Sequence, residues 1–513
     1  MRLRFGRLEP RGRIDHSASD SQELKMTLRL TLLAALVALA CSPALAQAPT
    51  TPKPSPLPAR RAVADGAIPL LDPNLITTAE ALRDKALKDN AAYPLLEGLT
   101  TEIGPRPDAS AAEHRAAEWA AAKLKAMGFE NVHLEPFPMD EWVRGQETAE
   151  VVSPFPQRLV LAALGGSVAT PPEGIEAEAV IFKTYDELLA APMGSLMGKI
   201  AVVTQPMART SDGSGYGASY QIRGLGPSEA AKRGAIAYLL RSLATDHHRE
   251  PHTGTLAYAP GAPKIPAAAL SVPDAEQLDR IALRGQPIRL HVTLTPTLHP
   301  NATSYTVIGE LKGREKPDDV VLIGGHLDSW DLGTGAIDDG AGVAITAAAA
   351  KLIADLPERP RRTIRVALFG AEERGVSNFS YAAAHPAADQ ARTVIAGECD
   401  FGADHIYAVA LPKGAAGSAF GRSLGRVLAP IAATISREPA MDGGSDLESL
   451  VGVPLAALAQ DGTRYFDIHH TADDTLDKID REQMNQNVAA WAAFTYLAAD
   501  SDVDFRALAA PKP

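Results

Sequence analysis

Apolar and polar positions change their period several times along the chain, and each change marks a structural element. In "SAAEHRAAEWAAAKLKAMGF" (110–129) Trp119, Leu124 and Met127 recur at helical spacing, Ser110 can cap the first turn, and Gly128 stops the last. The apolar positions of "NVHLEPFPM" (131–139) then predict a strand. From about 155 to 297 the texture is different. Short β runs such as "EAVIF", "KIAVVTQ", "AIAYLL" and "IPAAALSV" alternate there with glycine- and proline-rich loops and short helices. Beyond 298 the elements lengthen: "DVVLIGGH", "TIRVALFG", "RTVIAGECD" and "VPLAALAQ" read as strands, with helices predicted over 340–356 and 375–385. Apolar strands alternating with helices imply an α/β fold, a largely parallel sheet with helices on both faces. The pattern divides the chain into an α/β domain in two pieces, 76–154 and 298–505, with a smaller β-rich domain, 155–297, inserted between them.

The amino terminus follows neither pattern. "TLRLTLLAALVALACSPALA" (27–46) carries a basic residue, an apolar core of secretory length and Ala44-Leu45-Ala46, an A-x-A cleavage signal. The core ends too soon for a membrane span. Residues 1–46 are therefore read as an N-terminal extension and export signal, with translation starting at Met1 or Met26. The expected location is the periplasm or the medium. Acylation at Cys41 is a weaker reading, since Ala38-Leu39-Ala40 fits poorly before a lipidated cysteine. The proline- and alanine-rich stretch 47–75 reads as an extended tether.

A chain of 513 residues has length for two or three domains with sizeable cores. Its net charge of −12 becomes −15 once residues 1–46, with seven basic and four acidic side chains, are removed. No basic stripe offers a surface for phosphates, which argues against nucleic acid as a partner. The two cysteines are Cys41 and Cys399, so the exported chain keeps one and closes no intramolecular disulfide. Stability must then come from a large core, from bound metal, or from both.

The candidate chemistry gathers at strand ends. "GGHLDSWDLGTGAIDDGAGVA" (324–344) places Asp328, Asp331, Asp338 and Asp339 within thirteen residues of His326. Carboxylates crowded like this repel one another and are costly to bury without a cation. "TIRVALFG" runs into Ala371-Glu372-Glu373, "TVIAGE" into Cys399-Asp400, and "PLAALAQ" into a loop with His469, His470 and Asp474. In open α/β sheets, ligands bind at the carboxyl ends of the strands. These clusters therefore imply a metal centre, with more than one ion, and imidazole plus carboxylate without thiolate suits zinc, cobalt or manganese.

"GGHLDSWDLGTGAIDDGAG", "FGAEERG", "GECDFG" and "HHTADDT" together resemble the motif series of the co-catalytic zinc exopeptidases, most closely their carboxypeptidase Q branch. "SWD" after the first histidine and "EIGPRP" (102–107) are similar to that branch as well. The resemblance implies a three-layer zinc-exopeptidase fold, a protease-associated domain as the insert, and two zinc ions. Asp338 would bridge the ions, His326 and Asp400 would hold one, and Glu373 and His470 the other. Of the two adjacent histidines, the family pattern selects His470 and leaves His469 as a neighbour. Glu372 would be the general base, and Asp328 would orient His326 from behind. Asp446 in "GGSDLESL" resembles a residue near the substrate pocket, and the Asp338–Asp339 peptide is expected to be cis. Members of this branch form homodimers. The implied reaction is hydrolysis of dipeptides and short peptides with a free carboxyl end, with aminopeptidase action as the alternative.

Two readings of other classes stay open: a non-catalytic binding protein on the same scaffold, and a one-zinc glutaminyl cyclisation. The complete ligand set speaks against the first, the inserted domain against the second. Asp331 is undecided between site and scaffold. The cluster "DHHREPH", with His247, His248 and His252, reads as a surface loop, and Cys399 as packing.

Overall fold

In the computed structural model, which describes residues 69–509, the site is carried by a five-stranded sheet. The strand order is Glu130–Val143, Thr297–Leu311, Arg362–Phe369, Lys316–His326, Thr393–Glu398. The export segment, Cys41 and most of the tether lie outside the described residues. The sheet is mixed. Thr297–Leu311 pairs antiparallel with both its neighbours, whereas Lys316–His326 runs parallel to both of its own. Within this sheet parallel pairing is confined to the three strands whose ends carry His326, Glu372, Glu373 and Asp400. Every residue of Arg362–Phe369 is buried, and since successive side chains point to opposite faces, both faces of the sheet are covered.

The helix Ala341–Ala354 is apolar except at Thr346 and Lys351, and twelve of its residues are buried, which places it in the core. It packs between the sheet and the helices Pro73–Ala86 and Arg481–Asp500. Ser110 caps Ala111–Ala126 as its position in the sequence predicts, its hydroxyl accepting from Glu113 N at 3.1 Å. Asp480 caps Arg481–Asp500, taking the amides of Glu482 and Gln483 at 2.8 and 3.1 Å. Such caps stabilise a helix by about 1 kcal/mol. Among the described residues no helix is long and apolar enough to cross a membrane.

A second, eight-stranded sheet is built entirely from residues between Glu147 and Leu294. It begins earlier than residue 155, because Glu147–Ser153 pairs antiparallel with Ile288–Leu294 and so belongs to it. Trp330, from the loop after His326, packs into this sheet's own hydrophobic core beside Trp142, Ala163 and Leu294. Gly165 has no side chain because the Trp330 ring fills the place, a Cβ there lying 2.0 Å from it. Asp331 is scaffold: its carboxylate is held by Arg144 Nε at 2.7 and 3.0 Å. Trp330 therefore fastens the site loop to the insert directly, and Asp331 does so through Arg144, which also holds Glu147 and the Ala163 carbonyl.

Candidate active site

Because three neighbouring strands run parallel, their carboxyl ends share one edge, and the residues that follow them converge there. His326 ends its strand in register with Phe369, two residues before Ala371. Ala371 turns the chain sharply with φ 62°, a left-handed conformation that costs a non-glycine residue roughly 1–2 kcal/mol, and delivers Glu372 and Glu373. Asp338 arrives from the loop ahead of Ala341–Ala354, and its peptide bond to Asp339 is cis.

Asp338 stands in the middle. Its Oδ1 is 3.1 Å from His326 Nε2, and its Oδ2 is 3.1 Å from His470 Nε2. His326 Nε2 also lies 3.4 Å from Asp400, and His470 Nε2 lies 3.0 Å from Glu373 Oε2. The five residues thus form two groups that share one carboxylate. Glu372 is set apart, with Oε2 3.9 Å from His326 Nε2. It and Asp400 keep 20% of their side chains open to the cavity, while His326 keeps 1%. Asp339 does a different job from its neighbour: its carboxylate takes the amides of His326 and Gly342, both at 3.0 Å, tying the strand end to the helix start.

The electrostatics call for a cation. Burial, reinforced by neighbouring carboxylates, pushes Glu372 well above the usual carboxyl range and also raises Glu373 and Asp400. Asp338 goes the other way: burial would raise it, but His469, His326 and His470 together hold it well below. His470 is pushed up to about 9, since Glu373 and Asp338 outweigh the effect of burial. Asp338 Oδ2 and Glu373 Oε1 are buried without a hydrogen-bond partner among the described residues. Carboxylates with unpaired buried oxygens beside imidazole nitrogens fit a divalent cation with mixed nitrogen and oxygen ligands.

Several expected roles come out differently. The Asp328 carboxylate does not reach the ring of His326 closely: it lies 3.7 Å from Nδ1, and the Asp328 backbone carbonyl, at 3.0 Å, takes that place. The carboxylate instead accepts the amides of Glu372 and Glu373, both at 3.1 Å, so it joins the first motif to the second. Asp446 is fully buried against Glu398, which accepts its amide at 2.9 Å, and burial pushes its carboxyl up to about 7. The three-histidine cluster divides. His247 and His248 are exposed, but His252 is buried and paired with Asp246 at 2.6 Å, which corrects the reading of a surface loop. Cys399 is buried, as packing requires. The arginine of "EIGPRP", Arg106, is fully buried beneath the acidic cluster and donates to the carbonyls of Leu327, Thr334 and Gly335.

A cavity of about 300 Å³ opens onto Asp338, Glu372, Glu373, Asp400, His469 and His470. The insert supplies part of its wall through Tyr216, Tyr220, Arg223 and Thr255. Arg223 is buried between the two tyrosine rings, 5.3 and 5.2 Å from their centroids, and donates from Nε to Thr255 O at 3.1 Å. Nothing local in the sequence marks it: no periodicity or motif separates this arginine from the others of the insert.

Residues 306–495 match the model of peptidase family M28. Carboxypeptidase Q of Bos taurus is 39% identical over 420 residues, which cover 80% of this chain and 86% of that protein. Carboxypeptidase Q of Homo sapiens is 36% identical with the same coverages, 80% and 86%. Among solved structures, a peptidase M28 precursor from Shewanella amazonensis SB2B matches with a TM-score of 0.82 at 44% identity, covering 84% of this chain and 98% of that one. A zinc aminopeptidase from Bacillus subtilis, at 20% identity and a TM-score of 0.58 over 80% of this chain and 95% of its own, shares the fold. Sequence kinship over most of both lengths, joined to a site of this chemistry, makes the chain a metallopeptidase that belongs to peptidase family M28, related to carboxypeptidase Q.

Proposed function

We propose that the protein is an exported di-zinc exopeptidase acting on dipeptides and short peptides, with residues 147–294 as a protease-associated insert that roofs the site. The observation that carries this reading is Asp338, each of whose oxygens faces a different histidine at 3.1 Å. His326 and Asp400 with one of these oxygens would hold one ion; His470 and Glu373 with the other would hold the second. Zinc would supply Lewis acidity at such a site, lowering the pKa of water toward roughly 7 and polarising the scissile carbonyl. Glu372, free of ligand duty and open to the cavity, takes a proton from the attacking water and delivers it to the leaving amine. Asp328 keeps Glu372 and Glu373 in register through their amides.

Arg223 supports recognition of a free carboxyl end. It is the one arginine or lysine on the wall of the 300 Å³ cavity among the described residues, and a planar guanidinium matches a carboxylate in two-point contact. The aminopeptidase alternative draws on the adjoining cavity of about 520 Å³, whose wall carries Asp212, Glu398, Asp442 and Glu448 and would favour an ammonium group. One experiment separates these readings. Zinc-reconstituted protein, checked for two ions per chain by elemental analysis, is assayed on a dipeptide, its C-terminal amide and its N-acetyl derivative. The expected result is loss of at least tenfold in kcat/KM on amidation and a smaller loss on acetylation. The reverse order would establish the aminopeptidase, and no cleavage of any of the three by metal-loaded protein would overturn the exopeptidase reading.

A further inference from the structure

The insert does more than line the cavity: its segment around residues 252–255 lies against the backbone and ring of His470. We propose that Thr253 is a positioning residue for His470, so that docking of the insert governs how tightly one of the two ions is held. This rests on the two-ion reading above. The Thr253 amide donates to the His470 carbonyl at 3.1 Å, and the Thr253 carbonyl lies 3.3 Å from His470 Nδ1. A carbonyl only accepts, so Nδ1 carries a hydrogen, which leaves Nε2 as the nitrogen that would face an ion between Asp338 and Glu373. Partners of this kind set the tautomer and ring direction of a ligand histidine, and removing one typically weakens metal binding 10–100-fold. His470 also has φ 63°, a conformation that needs outside support.

Thr253 is itself held firmly. Its hydroxyl donates to Ala163 O at 2.7 Å and accepts from Arg144 Nη2 at 3.1 Å, the same arginine that grips Asp331. Its carbonyl also takes Arg223 Nη1 at 3.4 Å, which puts the cationic wall of the cavity and the histidine on one anchor. The other histidine is independent of the insert, since His326 Nδ1 is satisfied by the Asp328 carbonyl two residues along its own loop. His469 Nδ1 is buried with no partner among the described residues, and its Nε2 lies 3.5 Å from Asp338 Oδ2 against 3.1 Å for His470 Nε2, so His470 is the better placed of the two. One side of the centre is therefore backed locally and the other by a segment more than 200 positions away in sequence.

The test is metal retention in the full-length protein. Thr253→Val keeps the shape and removes both hydroxyl contacts; Thr253→Ser keeps the hydroxyl; Arg289→Ala, in an exposed pair on the insert, is the control. After zinc loading and dialysis against graded chelator, Thr253→Val should hold one ion as the wild type does and release the other at about tenfold weaker chelator or more. Thr253→Ser and Arg289→Ala should match the wild type. Retention of both ions at wild-type affinity, or equal loss of both, overturns the proposal. Should Thr253→Val fail to fold, Arg144→Gln loosens the same anchor and is read in the same way. A wild type that binds one ion would contradict the two-ion reading, and if Thr253→Val left that ion's affinity unchanged, the positioning role would fall with it.

Discussion

Replacing Glu372 with alanine is expected to leave both ions in place and slow peptide hydrolysis by ~10²–10⁴-fold, the effect of losing a positioned base. The geometry separates this residue from its neighbour. Glu372 Oε2 lies 3.9 Å from the nearest imidazole nitrogen, against 3.0 Å for Glu373 Oε2, and its side chain opens to the cavity. The turn that carries both is held through backbone amides by Asp328, so removing either side chain leaves the turn intact. Glu373→Ala should act on metal instead. It deletes a ligand, lowers zinc affinity on the His470 side, and lowers the stability that metal binding contributes. Excess zinc should restore part of the activity of Glu373→Ala and none to Glu372→Ala. Zinc counting and thermal melts decide the matter: loss of zinc in Glu372→Ala, with two ions kept by an inactive Glu373→Ala, would reverse the roles.

Asp338→Ala should have the larger effect on metal, emptying both positions and abolishing hydrolysis at zinc concentrations that saturate the wild type. Both groups of ligands depend on this carboxylate, one through each oxygen, and no other carboxylate is 3.1 Å or less from His326 Nε2. The adjacent Asp339→Ala makes the contrast. Asp339 is buried with its oxygens on two backbone amides, so its loss should destabilise the fold by about 1–3 kcal/mol through the unsatisfied donors. Elemental analysis and denaturant titration of the two variants tell them apart. Two ions retained by Asp338→Ala would remove the bridging role.

Much of the frame could be read from local pattern. Apolar runs ending in His326, in Glu372-Glu373 and in Asp400 each announce a strand followed by polar chemistry, because strand period and turn residues act over a few positions. The same motifs carried the family, which the relatives bear out. Ser110 as a cap was legible for the same reason. The Asp328 contact shows where local reading stops. Sequence puts a carboxylate two residues from His326, and the fold turns that carboxylate toward the amides of another motif 44 positions on.

Other features depended entirely on the folded chain. Glu130–Val143 and Thr297–Leu311 pair antiparallel and the three site strands parallel, a choice made by long-range pairing rather than by propensity. Trp330 acquired its role only when the insert met it with its own core, and Asp331 only when Arg144, just ahead of the insert, met it. His252 left the surface because Asp246 pairs with it in the interior. Arg223 became the cation of the cavity, and Thr253 the support of His470, through contacts that span up to 217 positions. By itself the sequence determined the strands, their polar ends and the family, since these are written in residue types a few positions apart. The tertiary structure alone decided which oxygen faces which nitrogen, which histidine is backed, and where a positive charge stands, because those depend on distances of about 3 Å between segments that only folding brings together.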